Sequence, residues 1–594
     1  MAAVAGAALL VYGWTASRTL TFGDSGELIA ASWRGGLAHP PGYPLYTTIA
    51  GAVLHVLPWG EPALRTNLLS ALAAAAACGV IAVTARGMTG SALGGIAAGG
   101  IVATSSVVWS TATETEVYAL HALLLALLLE ASRRGRLLLA AAALGWGLAH
   151  HPTIVLALPS ALLLAAPAIR EARPRRIALA AAVAIAIPLA LDATLLLRAA
   201  RDPGAWGGVS SLPSLLAHLG ASRYLSYDLG WAALVRPEGW SVVARTLVSG
   251  LAVTGAVAAF AGARGLKTRD RWAMVLLAAA GVAFALRYAT EDVDVFLIPT
   301  IVAVGVLAAG AVAVLEVRAS RVIAAVVAGL IVAIPLAANA RRADRHGDSA
   351  AAYYAADMLA TLPENATLFT DGDDAFVLAY ATQVRGDRPD VNLIDRRGLL
   401  FASARFYGAD TGDERRMIRE IAEIERGSRA VYFMGWPGYE LPAGWRFEPE
   451  GIFFRATRAD SGAQDDATLW AGYHEAEVVE SARIRPGAFA AAVAGTYPLM
   501  RAEEALARGR VDVAVRELDE AMRRAPDSET ILNTVGTTWA RRGELARAIA
   551  AFERAVSAKP QSLRGWLNLA QARALSGDRA GAEAAASRAR ALVR

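Results

Sequence analysis

The sequence contains a single cysteine, Cys78, in a chain of 594 residues. A disulfide within the chain and a cysteine-based zinc site are therefore excluded. Lysine is nearly absent too: Lys267 and Lys559 are the only two, and every other basic residue apart from the histidines is an arginine. Charge is scarce, at 19% of residues, and 58 basic against 53 acidic side chains leave a net charge of +5. That is too little, over such a length, to argue for nucleic acid as a partner. Apolar residues make up 55% of the chain and crowd into long charge-free runs before position 340. The pattern excludes an ordinary soluble enzyme and a disordered chain.

A membrane helix needs about 20 predominantly apolar residues. Candidate spans cover 2–17, 64–85, 91–109, 117–131, 137–150, 153–169, 177–197, 241–263, 272–288, 295–315 and 322–338, eleven in all. The stretch 137–169 admits another division around His150-His151-Pro152. The first span lacks a basic leader and ten others follow it, so it is expected to be retained rather than cleaved as a secretion signal. Arginines gather at Arg86, at Arg133 to Arg136, at Arg170 to Arg176, at Arg264 to Arg271 and at Arg318 and Arg321. With eleven spans these five groups fall on one side, expected to be the cytoplasm, together with the N-terminus. The segments 18–63, 110–116, 150–153, 198–240 and 289–294, and the chain beyond 338, then lie outside. These outer segments hold Asp24, Glu27, Glu114, Glu116, the His150-His151 pair, Glu291, Asp292 and Asp294. Carboxylates and histidines collected on one face suit chemistry there, although loops are polar in any protein.

The composition divides the chain into a membrane part, 1–339, a soluble part, 340–494, and a repeat part, 495–594. In the soluble part Ala366–Thr370, Val391–Ile394 and Ala430–Phe433 read as strands, alternating with helical patterns, which predicts a small α/β domain. Asp371-Gly372-Asp373-Asp374 follows the first strand and lacks EF-hand spacing, so a strand-to-helix turn capped by aspartate is the simpler expectation over a divalent cation site. In the last part Gly509, Gly543 and Gly577 stand 34 residues apart, as do Ala514, Ala548 and Ala582, and Ala521, Ala555 and Ala589. Pro526 and Pro560 share the spacing, and Gly536, Trp539, Phe552 and Pro560 complete the pattern of a tetratricopeptide repeat. Such an all-α array usually binds a protein partner, and two or three repeats can also simply brace a domain.

The first outer segment reads Gly23-Asp24-Ser25-Gly26-Glu27-Leu28 and then His39-Pro40-Pro41-Gly42-Tyr43-Pro44-Leu45-Tyr46. Asp24 with Glu27 has the spacing of a helix capping box, and the proline pairs suit a rigid turn. The run from Asp24 to Tyr46, followed by Arg65-Thr66-Asn67-Leu68-Leu69-Ser70, also resembles the protein O-mannosyltransferase-like family of polytopic membrane proteins. Glu116-Val117-Tyr118-Ala119-Leu120-His121, Gly147-Leu148-Ala149-His150-His151-Pro152-Thr153, Thr370-Asp371-Gly372-Asp373 and Arg388-Pro389-Asp390-Val391 extend the resemblance, which covers about residues 18–400. It implies an α-helical GT-C-type glycosyltransferase that takes a sugar from a polyprenyl-phosphate carrier to an acceptor hydroxyl on a protein or glycan, at the outer surface of the cell membrane. It places the essential acidic residue at Asp24, with Glu27 second, and substrate contacts at Tyr43, Glu116, Tyr118, His150 and His151. No cofactor or metal is indicated; adjacent histidines point in different directions on a helix.

The chemistry suits these residues. A hydroxyl is a poor nucleophile until a carboxylate takes its proton, and a phosphate leaving group needs positive charge or donors. Arg34, His39, Arg198 and Arg287 are the candidate phosphate partners, the first two favoured because they share the loop with Asp24. Arg198 and Arg287 end apolar spans, where snorkelling explains them equally well. Two other functions fit the apolar half: a transporter or flippase of a lipid-linked precursor, and an inactive membrane anchor presenting the repeats. A transporter favours ionisable residues in mid-span, of which Asp192 is the chief example, and internal symmetry, which is not evident. An anchor has no use for the Asp24 loop.

Overall fold

The computed structural model of the chain describes residues 1–593 apart from 203–205, 207–208, 252, 289, 291, 399, 402, 408–411, 462–466 and 486. Glu291, one of the outer carboxylates named above, lies outside the described residues. The chain divides into two compact units, Met1–Asp348 and Ser349–Arg594.

The first unit is helical, and each apolar run carries helix. Among the described residues five helices are long and apolar enough to cross a membrane: Pro62–Thr89, Pro152–Glu171, Pro174–Arg201, Val293–Arg318 and Arg321–Ala343. Two bent pairs raise the number to seven if each is one span. Eleven full crossings do not follow from helix length. Ala2–Thr15 and Leu137–Leu148 have 14 and 12 residues, and a helix of that size reaches only about 20 Å of a roughly 30 Å hydrocarbon core. Breaks have local causes. Ser105 leaves helical geometry (φ −65°, ψ 140°) and caps Ser106–Ala112 through Val108 N–H, so the run from Ala92 bends by 67°. His151 does the same at Thr153, just before Pro152 starts the next turn.

The stretch expected to be an outer loop contains two helices. We label Ala2–Thr15 α1, Ser25–Arg34 α2, Pro44–Val56 α3 and Pro62–Thr89 α4. α2 ends at Gly35 in the left-handed region (φ 63°), and α3 starts with Pro44 in its first turn. Between them Gly42 has φ +95°, and a Cβ there would meet Leu195 at 3.1 Å and His218 at 3.2 Å. Only glycine satisfies both the dihedral and the approach. Tyr43 follows with φ 43°, a costly conformation for a tyrosine that marks a tightly determined site. Val293–Arg318 lies deep in the helical core, whereas Pro174–Arg201 is the least buried of the five.

The second unit joins a five-stranded sheet to the repeats. Thr367–Thr370 (β1), Asn392–Asp395 (β2) and Val431–Phe433 (β3) are the three strands expected; Trp445–Glu450 (β4) and Phe453–Arg458 (β5) were not foreseen. The order is β2-β1-β3-β5-β4, with β1 parallel to β2 and β3, and the last three strands antiparallel. Asp373 heads the short helix Asp374–Ala379 without a side-chain cap bond. The repeats form helix pairs, from Ala488–Ala507 with Val511–Arg524 to Leu563–Leu575 with Arg579–Val593. Gly509, Gly543 and Gly577 sit at the three tight turns with φ of 72°, 78° and 88°, which explains their 34-residue period.

Position 494 falls inside Ala488–Ala507, and Met500 of that helix joins the core of the sheet with Phe369, Ile394 and Phe433. Asp357, buried in the helix Ala350–Thr361, accepts hydrogen bonds from the His474 backbone and Nδ1 and from Tyr497 Oη at 2.7 to 3.1 Å. Truncation after 494 is therefore expected to expose the sheet core and give aggregated or protease-sensitive protein. Truncation after 348 is expected to leave a monodisperse membrane unit. Size-exclusion profiles and limited proteolysis of the two truncated chains check this; a well-behaved 1–494 product would refute it.

Candidate active site

The first-loop motif folds onto itself around one imidazole. Asp24 is the N-terminal cap residue of α2, but its side chain makes no cap hydrogen bond. Glu27, one turn on, does not turn back to close a capping box. Its carboxylate instead accepts the His39 backbone N–H at 2.8 Å and His39 Nδ1 at 2.9 Å. The other ring nitrogen, Nε2, lies 2.9 Å from Tyr43 Oη and 3.5 Å from Asp24 Oδ2. Glu27 and His39 are buried, while the Asp24 side chain is 39% exposed, so only Asp24 of the two carboxylates is open to a substrate.

Burial opposes the His39 cation, but Asp24 and Glu27 outweigh it and raise its pKa to about 9. The imidazole is thus a fixed positive charge at neutral pH. A folded-state pKa above the free value of about 6.5 stabilises the protein fully below that pH. The contribution fades as pH rises from about 6.5 through 9. The melting temperature of the wild type is expected to fall across that window, and that of His39→Gln to stay flat. A wild-type curve without slope there would refute the assignment.

Other sequence-selected residues fall in different places. Glu116 is drawn into the cluster: burial, then Asp24, Glu114 and Asp292, push its carboxyl well above the usual range, with His39 opposing. Tyr118 and His151 approach Tyr43 as an aromatic wall, with Tyr43–His151 stacked at 5.8 Å and Tyr118–His151 at 5.6 Å. His151 Nδ1 accepts from Thr153, whereas His150 turns away and donates from Nε2 to the Val117 carbonyl at 2.7 Å. Arg34 is at the far end of α2 from Asp24 and is ion-paired with Asp202. Arg287 pairs with Asp228 at 2.6 Å and lies 4.1 Å over the Trp231 ring. Among the described residues no three His, Cys, Asp or Glu side chains form a group able to hold a metal ion.

The motif at 65–70 positions this loop. Thr66 bonds Thr115 at 2.6 Å, Thr115 donates to Asn67 Oδ1 at 2.7 Å, and Asn67 Nδ2 donates to the Ser17 carbonyl at 2.9 Å. Arg65 holds the carbonyls of Leu54 and Leu57 at the end of α3. The contacts of Trp206 with the His39 ring (6.1 Å) and of His218 with the Ala38 carbonyl (3.1 Å) had no signal in the sequence, being more than 160 residues away along the chain.

Residues 24–171 match the family model for the protein O-mannosyl-transferase TMEM260 N-terminal domain. The resemblance carried by the first-loop motifs is therefore shown over that stretch, which contains Asp24, Glu27, His39, Tyr43, Glu116, Tyr118, His150 and His151. Protein O-mannosyl-transferase TMEM260 of Mus musculus is 28% identical over 445 residues, which cover 66% of this chain and 62% of that protein. The Dictyostelium discoideum protein O-mannosyl-transferase tmem260 is 25% identical over 122 residues, or 20% of this chain and 15% of that one. The chain thus spans about three fifths of the mouse relative's length. Residues 499–562 match the tetratricopeptide repeat model. Among solved structures, ArnT from Cupriavidus metallidurans in the apo state aligns with a TM-score of 0.51 at 15% identity, covering 78% of this chain and 99% of that one. The fold is GT-C-like and the chain is a multi-pass membrane protein.

Proposed function

We propose that the chain is a GT-C-type membrane glycosyltransferase. It moves a sugar, with mannose the first candidate, from a polyprenyl-phosphate carrier to a hydroxyl of a protein or glycan acceptor. The observation that carries this reading is the Asp24 carboxylate, partly open and held 3.5 Å from the buried His39 ring within the TMEM260-like stretch. In the step, the acceptor O–H gives its proton to Asp24 while its oxygen bonds the anomeric carbon. The bond from that carbon to the phosphate oxygen breaks, and its electron pair leaves with the phosphate. Tyr43, Tyr118 and His151 offer ring faces suited to the apolar face of a sugar. The arginine distribution supports a cytoplasmic N-terminus in the cell (inner) membrane, with the second unit, Ser349–Arg594, on the extracytoplasmic side. The repeats would then meet a protein partner on that side.

The test uses the full chain in nanodiscs with a panel of radiolabelled polyprenyl-phosphate sugars and a hydroxyl-rich peptide. Label is expected in the peptide for one sugar of the panel. No transfer from any donor, together with transbilayer movement of intact lipid in vesicles, would replace this reading with the transporter.

A further inference from the structure

Three arginines are candidates for a phosphate on sequence grounds, and their surroundings differ. Arg34 is neutralised by Asp202 and Arg287 by Asp228. Of the three, Arg198 alone has no carboxylate partner among the described residues. Its guanidinium is held by neutral oxygens on the first turns of α3: Thr47 Oγ1 at 2.6 Å, Thr48 Oγ1 at 2.5 Å and the Pro44 carbonyl at 3.5 Å. Those dipoles orient the cation without cancelling its charge. The side chain is only partly exposed, so an anion reaching it gains more than it would at an open surface.

The location is specific. Leu195, one helical turn before Arg198, packs at the position where Gly42 lacks a side chain. Thr47 bonds back to the Tyr43 carbonyl, and Tyr43 Oη reaches His39, which touches Asp24. Arg198 thus stands against the segment that holds the proposed base. It also lies near the end of Pro174–Arg201, the least buried of the five span helices, so a hydrocarbon chain lying along the open face of that helix has its head group at the guanidinium. Snorkelling sends an arginine along its own helix toward water; Arg198 instead reaches across to α3.

We infer that Arg198, with Thr47 and Thr48 of α3, forms an anion-binding corner that takes the phosphate of a polyprenyl-phosphate lipid. This rests on the glycosyltransferase reading above and adds the residue that receives the leaving group. Arg198 sets the carrier phosphate on the Tyr43 side of the site, and its fork of N–H donors matches two phosphate oxygens.

The experiment measures binding of a long-chain polyprenyl monophosphate to the full chain in zwitterionic nanodiscs, with phosphatidylglycerol and the unphosphorylated polyprenol as parallel probes. Arg198→Gln is expected to weaken the monophosphate by about 10- to 100-fold. Arg198→Lys should lie between, because it keeps charge and loses the fork. Thr48→Ala, which frees the guanidinium without changing charge, is expected to cost about three- to tenfold and guards against a folding defect in Arg198→Gln. Phosphatidylglycerol and polyprenol should respond to none of these changes. Wild-type binding with unaltered affinity in Arg198→Gln would overturn the corner alone, as would an equal loss for phosphatidylglycerol, which would make Arg198 a general head-group contact. A wild type that does not bind the monophosphate would overturn the corner and the proposed donor together.

Discussion

Asp24→Asn is expected to lower the rate of sugar transfer by about 100-fold or more while leaving the protein folded. The substitution keeps the size of the side chain and removes the proton acceptor. It breaks no cap, because the Asp24 side chain makes no cap hydrogen bond. Asparagine also caps helices about as well as aspartate, so the local stability change should stay well under about 1 kcal/mol. The altered charge is felt at His39, which loses one of the carboxylates that hold its proton. The pH at which stability declines should therefore move down from about 9. Turnover, melting temperature and donor affinity, measured on the same nanodisc preparation, separate these effects. Near-normal turnover would remove Asp24 from the chemistry.

Glu27→Ala is expected to behave in the opposite way, with a large loss of stability. Its carboxylate is buried and satisfies both the backbone N–H and the ring of His39. Removing it leaves a buried cation and a buried N–H short of a partner, a defect of about 3–5 kcal/mol. The loop from His39 to Tyr43 should loosen, and activity should fall with it. Glu27→Gln keeps an acceptor for the backbone N–H and should cost less. The contrast is decisive: if Glu27→Ala melts like the wild type but loses turnover, Glu27 belongs to the chemistry rather than to the support of His39. Thermal melting by intrinsic tryptophan fluorescence, with turnover in parallel, reads both.

How much of this the sequence revealed depends on the range of the interactions. β1 to β3 were legible because short β-rich runs stand between helical patterns. β4 and β5 were not: Trp445-Arg446-Phe447-Glu448-Pro449-Glu450 mixes charge and proline into an antiparallel strand that pairs with β5 at the sheet edge. The prolines of the run from His39 to Pro44 suit a rigid turn after a helix, yet Pro44 opens a further helix of 13 residues. Asp24 and Glu27 stand out in the sequence as a pair, and their spacing suggests mutual capping. The tertiary partner, His39, lies 12 residues beyond Glu27 across a turn that only the folded chain closes. The same limit applies to the arginines: their charge was visible, whereas Asp202 beside Arg34 and the threonines beside Arg198 come from more than 140 residues away.

The hub at Asp357 has a consequence for the order in which the protein is made. Its helix is the first of the second unit to leave the ribosome, but the hydroxyl of Tyr497 that completes its bonding lies 140 residues further along. At about 5–20 residues per second, that interval lasts roughly 7–28 s. During it the carboxylate lacks this partner, and Phe369, Ile394 and Phe433, as each is made, lack the cover of Met500, which follows Tyr497. The second unit therefore has a built-in waiting period in which a nascent chain exposes an unfinished apolar sheet, and a chaperone acting on this protein would find its substrate then.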